Sequence, residues 1–169
     1  MQLHTPVSQI LIQRLAEPHL EGVTALFNEP AVCRQLLQMP YQSIEVWRKR
    51  LADSTERHLK LVALSGGEVI GYIGFEQYLR SRQSHVGAIG MGVASFWQGK
   101  GIGSRLLAAA LDVADNWMNL HRIELTVFAD NEAAQGLYRK FGFDVEGRLR
   151  NYAVRDGVFV DALSMARLR

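Results

Sequence analysis

The stretch Val93-Ala94-Ser95-Phe96-Trp97-Gln98-Gly99-Lys100-Gly101-Ile102-Gly103-Ser104 decides how this chain folds. Before it, His85–Ala94 (HVGAIGMGVA) reads as a glycine-rich strand. After it, Ile102, Leu106, Leu107, Ala110, Leu111, Ala114, Trp117 and Met118 recur at three and four, which predicts an amphipathic helix to about Leu120. Three glycines therefore stand where a strand becomes a helix. Glycine lets the backbone turn tightly and approach a ligand. The first N–H groups of a helix lack partners and carry partial positive charge. Together these features make an anion site suited to a phosphate or pyrophosphate, against the plainer reading of a glycine-rich connector.

Three phosphate loops compete for this pattern. A Walker A loop needs Gly at position 94 and Ser or Thr at 101, where the chain has Ala94 and Gly101. A dinucleotide fingerprint needs G-x-G-x-x-G, but Gly99, Gly101 and Gly103 give G-x-G-x-G and Ser104 follows. Glu124 lies about one strand–helix unit downstream, where an acidic ribose ligand would sit, yet the strands before the loop form a hairpin rather than a βαβ repeat. The third pattern, Gln/Arg-x-x-Gly-x-Gly/Ala, is met by Gln98 to Gly103.

Working outward, Ile10–Arg14 alternates as a strand, and Glu17–Phe27 has a helical pattern stopped by Asn28-Glu29-Pro30. Ala31–Tyr41 is apolar-rich and irregular, and Ser43 precedes a second short helix, Ile44–Ala52. Leu59–Ser65 and Glu68–Tyr78 are strands around a Gly66-Gly67 turn, and Leu79–Ser84 is a loop. Arg122–Phe128 is a strand, and Asp130 or Asn131 caps a helix to Lys140 with Gly142 behind it. Phe143–Arg155 and Val158–Arg167 flank Asp156-Gly157, a hairpin signal. Consecutive strands imply antiparallel pairing, while strand–helix–strand from His85 to Phe128 implies one parallel pair.

The glycine loop, with Asn131-x-x-Ala134-x-x-x-Tyr138-x-x-x-Gly142-Phe143, resembles the two cofactor signatures of the GNAT superfamily of acyl-CoA N-acyltransferases. The resemblance covers about Ile10 to Arg167. Within the superfamily the chain is most similar to the bacterial L-amino-acid N-acetyltransferase branch, through Glu29-Pro30-x-Val32, Arg82-x-Ser84-His85-Val86, Arg122 to Phe128, and Tyr152-Ala153-x-Arg155-Asp156-Gly157-x-x-x-Asp161-Ala162. It implies a mixed α/β (α+β) fold, with a mostly antiparallel sheet of six to seven strands flanked by about four helices. It also implies acetyl-CoA as acyl donor, no metal, and a homodimer.

By the same resemblance, Gln98, Gly99, Lys100, Gly101, Ile102, Gly103 and Ser104 hold the pyrophosphate. Backbone groups at Met91, Gly92 and Val93 face the acetyl carbonyl and pantetheine, where the strand splays or bulges, and Asn131, Ala134 and Tyr138 line the cofactor's far side. Tyr138 is the candidate general acid; its ordinary pKa of ~10 exceeds the ~8.5 of a thiol. Against that stands an ordinary core aromatic. Glu76, His85 and Glu124 are candidate bases, with a water chain as the alternative. Cys33, Leu36, Leu37, Met39 and Tyr41, with Val32, make an apolar acceptor pocket, or simply pack on the sheet. Arg82 and His85, with Arg34 and Arg80, are available for an acceptor carboxylate.

Composition bounds the rest. The 169 residues suit one domain spanning 1–169 and a core that needs no staples. One cysteine excludes an internal disulfide framework and points to a reducing, cytoplasmic setting. A net charge of +2 gives no case for nucleic acid. No apolar run approaches a membrane span, and MQLHTPVSQILIQR lacks the pattern of a signal peptide. The expected activity is acetyl transfer to a small amine, with an apolar L-amino acid ahead of protein N-termini, polyamines and antibiotics. A non-catalytic acyl-CoA-binding module and a nucleotide-binding domain are the other readings.

Overall fold

Gly66-Gly67 (φ 57° and 87°) and Asp156-Gly157 (φ 51° and 78°) both take the left-handed backbone that a tight hairpin demands. Each joins two long antiparallel strands, as their sequences predict. The computed structural model describes residues 9–169; the amino-terminal reading above falls largely on residues 1–8, outside them.

The strands are β1 (Leu11–Arg14), β2 (His58–Ser65), β3 (Glu68–Gln77), β4 (Val86–Val93), β5 (Arg122–Phe128), β6 (Asp144–Arg155) and β7 (Val158–Leu168). The helices are α1 (Leu20–Asn28), α2 (Pro30–Cys33), α3 (Ile44–Ala52), α4 (Ile102–Asn116) and α5 (Glu132–Lys140). One seven-stranded sheet runs in the order β1-β2-β3-β4-β5-β7-β6. Among the described strands only the β4–β5 contact is parallel; the others are antiparallel.

Period-two alternation sends β2 side chains to two cores. Leu61 and Ala63 join Ile73, Phe75, Leu106, Leu107 and Tyr138 under α4 and α5. Val62 and Leu64 join Tyr72 beneath Leu20, Val23, Phe27 and Trp47 of α1 and α3. Burial on both faces explains why LKLVALS reads as an almost unbroken apolar run.

Two elements differ from expectation. The apolar stripe predicts helix to about Leu120, but α4 ends at Asn116. Asn119 turns left-handed (φ 52°), and the Leu120 N–H closes back on the Ala114 carbonyl at 2.9 Å. Leu120 is thereby buried, while Trp117 faces solvent. In the irregular 31–41 stretch, Pro30 opens one helical turn because the Glu29 carbonyl accepts from the N–H groups of Val32 (3.0 Å) and Cys33 (2.8 Å).

Candidate active site

The sheet opens between β4 and β5. Their parallel pairing lasts three residues, Val86–Arg122, Gly87–Ile123 and Ala88–Glu124, and then stops. β4 nevertheless stays paired with β3 from Gly87 to Val93 without a register shift. The opening is therefore a splay, not a bulge in β4. The Ala94 N–H points at Ile70 of β3, whereas the His85 carbonyl points toward β5. Alternation then turns the backbone N–H and C=O of Ile89, Met91 and Val93 into the opening. Gly90 is exposed there, with open space where a side chain would project.

The glycine loop stands at the wide end of this gap. Gly99 (φ 72°) and Gly101 (φ 83°) take left-handed conformations with nothing near their missing side chains. The first intrahelical bond of α4 runs from the Arg105 N–H to the Gly101 carbonyl at 3.1 Å. The N–H groups of Ile102, Gly103 and Ser104 precede it and point out of the helix end. This is a cradle fit for a pyrophosphate. The Gln98 side chain folds back to the Val93 carbonyl (3.0 Å), and Lys100 lies over the Phe96 ring at 3.7 Å. The Glu29 carboxylate receives the Ser95 N–H at 3.1 Å, fastening the first helices to the start of the loop.

Across the gap, Asn131 caps α5 by accepting the Ala134 N–H at 3.2 Å. A side chain at Gly103 would meet Leu137 at 2.9 Å, so glycine there sets how closely α4 approaches α5. The Tyr138 ring is buried against Phe143, with centroids 5.7 Å apart. Its hydroxyl has no hydrogen-bond partner among the described residues. Since no fully buried side-chain polar atom there lacks a partner, that hydroxyl reaches solvent. Burial pushes the phenol up to about 12, so it stays protonated at neutral pH.

On the α1–α3 side the gap widens into a cleft of about 330 Å³. Phe27, Trp47 and Tyr72 form its aromatic floor, with ring centroids 4.8–5.4 Å apart. Leu36 and Leu37 line it as expected, with Gln35 and Gln38 beside them. Met91, Gly90, Thr126, Phe128 and Tyr152 close the side toward the splayed strands. Among the described residues that line it none is acidic, and one, Arg50, is charged.

The other expected acceptor residues stand outside this lining. Cys33 turns away, donating its Sγ–H to the Gln38 carbonyl at 3.4 Å. Met39 (75% exposed) and Tyr41 (96%, with a left-handed φ of 59°) project into solvent. Arg82 and His85 are exposed at the opposite end of β4. Four residues of strand, ~13 Å, separate His85 from Ile89. Arg34 is paired with Asp156 at 3.0 Å.

The two candidate carboxylates flank one point. Glu76, Ala88 and Glu124 lie in register across β3, β4 and β5, at the last paired residues before the splay. Glu124 is half-buried, accepts the Tyr78 hydroxyl, and accepts the Arg122 Nε–H at 2.9 Å. That bond to Glu124 pushes Tyr78 up to about 12. Glu76 is more exposed, with His58 at 3.8 Å. Among the described residues, no three His, Cys, Asp or Glu side chains gather as a metal site.

A splayed parallel pair, a helix-end cradle and a cleft on the opposite face invite comparison with known proteins. The model of the acetyltransferase (GNAT) family matches residues 21–143. The chain belongs to the GNAT family. It is 38% identical over 163 residues to the L-amino acid N-acetyltransferase AaaT of Escherichia coli K12, covering 96% of this chain and 100% of that one. A putative phosphinothricin N-acetyltransferase structure superposes with TM-score 0.85 at 25% identity, covering 94% and 98% of the two chains. Spermidine N-acetyltransferase from Vibrio cholerae, in complex with CoA and spermine, superposes with TM-score 0.82 at 26% identity, covering 95% and 96%. The chain is thus an acyltransferase, an acetyl-CoA N-acetyltransferase of the GNAT type.

Three supports of this GNAT site escape sequence reading. Gln135 is buried and donates to the carbonyls of Phe128 (3.1 Å) and Ala129 (3.0 Å), fixing the turn from β5 into α5. Asp161 accepts the Asn151 N–H (2.9 Å) and Arg148 (2.8 Å), holding the β6 irregularity that brings Tyr152 to the cleft. Arg50 reaches the cleft from the last turn of α3. The Tyr152 to Asp161 motif was a signal for the second; the other two had none.

Proposed function

We propose that this enzyme transfers the acetyl group of acetyl-CoA to the α-amine of an L-amino acid with an apolar side chain, by direct attack in a ternary complex. The observation that carries the reading is the cleft lining: mostly apolar, without a carboxylate among the described residues, and open to the β4–β5 gap. A polyamine needs acidic partners, which this lining lacks. The name of the E. coli relative supports the same class.

Acetyl-CoA supplies the thioester. The α4 cradle and the Gln98–Ser104 loop hold its pyrophosphate. The N–H groups of β4 at Met91 and Val93 face the charge that develops on the acetyl oxygen; one such donor is worth ~2.7–4 kcal/mol. The α-ammonium first loses a proton to Glu124 by way of a water at the apex of the splay, which frees the nitrogen lone pair. That nitrogen bonds to the acetyl carbon, the carbon–sulfur bond breaks, and the extra proton on the new amide nitrogen passes to solvent. The Tyr138 hydroxyl donates a hydrogen bond to the departing thiolate, which takes its proton from solvent. The family resemblance extends this reading to a cytoplasmic homodimer.

The test is a panel of amines with acetyl-CoA, read by thiol release. Apolar L-amino acids should be the best acceptors. A higher kcat/KM for spermidine or for a peptide N-terminus would overturn the reading.

A further inference from the structure

We propose that Arg50 binds the α-carboxylate of the acceptor and so selects free amino acids over amines that lack one; this rests on the amino-acid reading above. Arg50 is the one charged residue in the cleft lining. Its guanidinium lies 4.7 Å from the Trp47 ring centre, and its Nη1 donates to the Gln38 side-chain oxygen at 3.1 Å. Those two contacts restrain the plane of the group but leave its Nε and Nη2 donors open. Arg122, Arg148, Arg155 and Arg167 each hold a carboxylate of the chain itself. Arg50 makes no ion pair with a described residue, although it is half-buried.

A half-buried, immobilised guanidinium with unused donors fits a planar anion that it can hold by two parallel bonds. The Tyr72 hydroxyl, without a partner among the described residues, lies in the same cleft and offers a further donor. The α-amine lies two bonds from the α-carboxylate carbon in any amino acid. A carboxylate anchored on α3 therefore leaves the amine to face the gap at Gly90 and Thr126. The apolar side chain falls against Leu36, Leu37 and Phe27. Arg34, Arg80 and Arg82, the cations suggested by sequence, do not line this cleft.

The experiment compares wild type, Arg50→Met and Arg50→Lys with L-leucine, L-methionine and L-phenylalanine, each beside its carboxamide, at saturating acetyl-CoA. Methionine keeps an apolar stem on Trp47 and removes the charge. Wild type should prefer each acid to its amide. In Arg50→Met, KM for the acids should rise on the order of 10- to 100-fold, the loss of a hydrogen bond to a charged group. KM for the amides and for acetyl-CoA should stay within about twofold, so the preference vanishes, and Arg50→Lys should recover part of it. Equal losses for acid and amide would assign Arg50 to packing and overturn the proposal, leaving the amino-acid reading intact. A wild type that acetylates no free amino acid but turns over other amines would overturn both.

Discussion

Replacing Tyr138 by Phe tests the proposed leaving-group chemistry with little disturbance to the fold. Burial pushes the phenol up to about 12, whereas a free thiol sits at ~8.5. Full proton transfer from Tyr138 to the departing thiolate would therefore run uphill, since the thiolate is the weaker base. In the proposed mechanism the hydroxyl is instead a hydrogen-bond donor to the charge growing on sulfur, and solvent completes the protonation. A hydrogen bond to a charged group is worth ~1.5–3 kcal/mol, which predicts a fall in kcat of roughly 10- to 150-fold in Tyr138→Phe. Stability should change little, within about 0.5 kcal/mol, because the hydroxyl has no partner among the described residues and already reaches solvent. Steady-state kinetics from pH 6 to 10 and a urea titration measure both. With its pKa raised, Tyr138 remains neutral through this range, so the wild-type rate should lose nothing to its ionisation. A variant at full rate would refute the role. A wild-type alkaline decline below pH 10 that disappears in the variant would refute the donor mechanism.

Three further outcomes follow from particular contacts. Gly101→Val places a branched side chain at φ 83°; the strain of about 1–3 kcal/mol falls on the α4 cradle, so calorimetry should find weaker CoA binding while amine KM changes less. Glu124→Gln removes the acceptor at the apex of the splay and should lower kcat by about 100-fold at neutral pH; an unchanged rate would move the base role to bulk water. Arg167 holds Asp115 by two bonds of 2.8 and 2.7 Å and keeps its carboxyl below the usual range. That stabilisation is present above the unfolded carboxyl pKa of ~3.9 and is lost as pH falls through the depressed folded value. Asp115→Asn should cost about 1.5–3 kcal/mol at pH 7, and urea melts should show the gap from wild type narrowing toward pH 3.

The geometry of the candidate donor half was legible because local rules govern it. Gly99 and Gly101 need left-handed backbone, Asn131 must accept from a residue three positions on, and Gly103 must be small where α4 meets Leu137. Each of those demands falls within a few residues of chain and so leaves a spacing that can be read. The hairpins at Gly66-Gly67 and Asp156-Gly157 were readable for the same reason. The splay itself was half legible: glycines in β4 hinted at it, but the cause is β5 leaving a strand whose pairing with β3 never breaks.

The cleft proposed for the acceptor follows no such rule, because it is assembled from elements far apart in sequence. Phe27, Trp47, Tyr72, Met91, Phe128 and Tyr152 meet only once α1, α3 and four strands are packed. Apolar composition picked out Leu36 and Leu37 in the 31–41 connector, yet the same criterion picked out Met39 and Tyr41, which stand in solvent. Arginine illustrates the difficulty most directly. The residues chosen by proximity to strand β4, Arg80 and Arg82, lie at the end of it away from the cleft, and Arg34 is paired with Asp156. Arg50 sits in the helix Ile44–Ala52 beside Arg48 and Lys49, where it reads as one more solvated charge. Arg48 does pair with Glu17 and Glu45, and Lys49 with Asp53. What separates Arg50 is its angular position three residues after Trp47, on the side of α3 that faces the sheet. Under the proposal made for Arg50, selection of an acceptor carboxylate follows from which turn of α3 carries a cation without an ion pair among the described residues, a property set by packing rather than by motif.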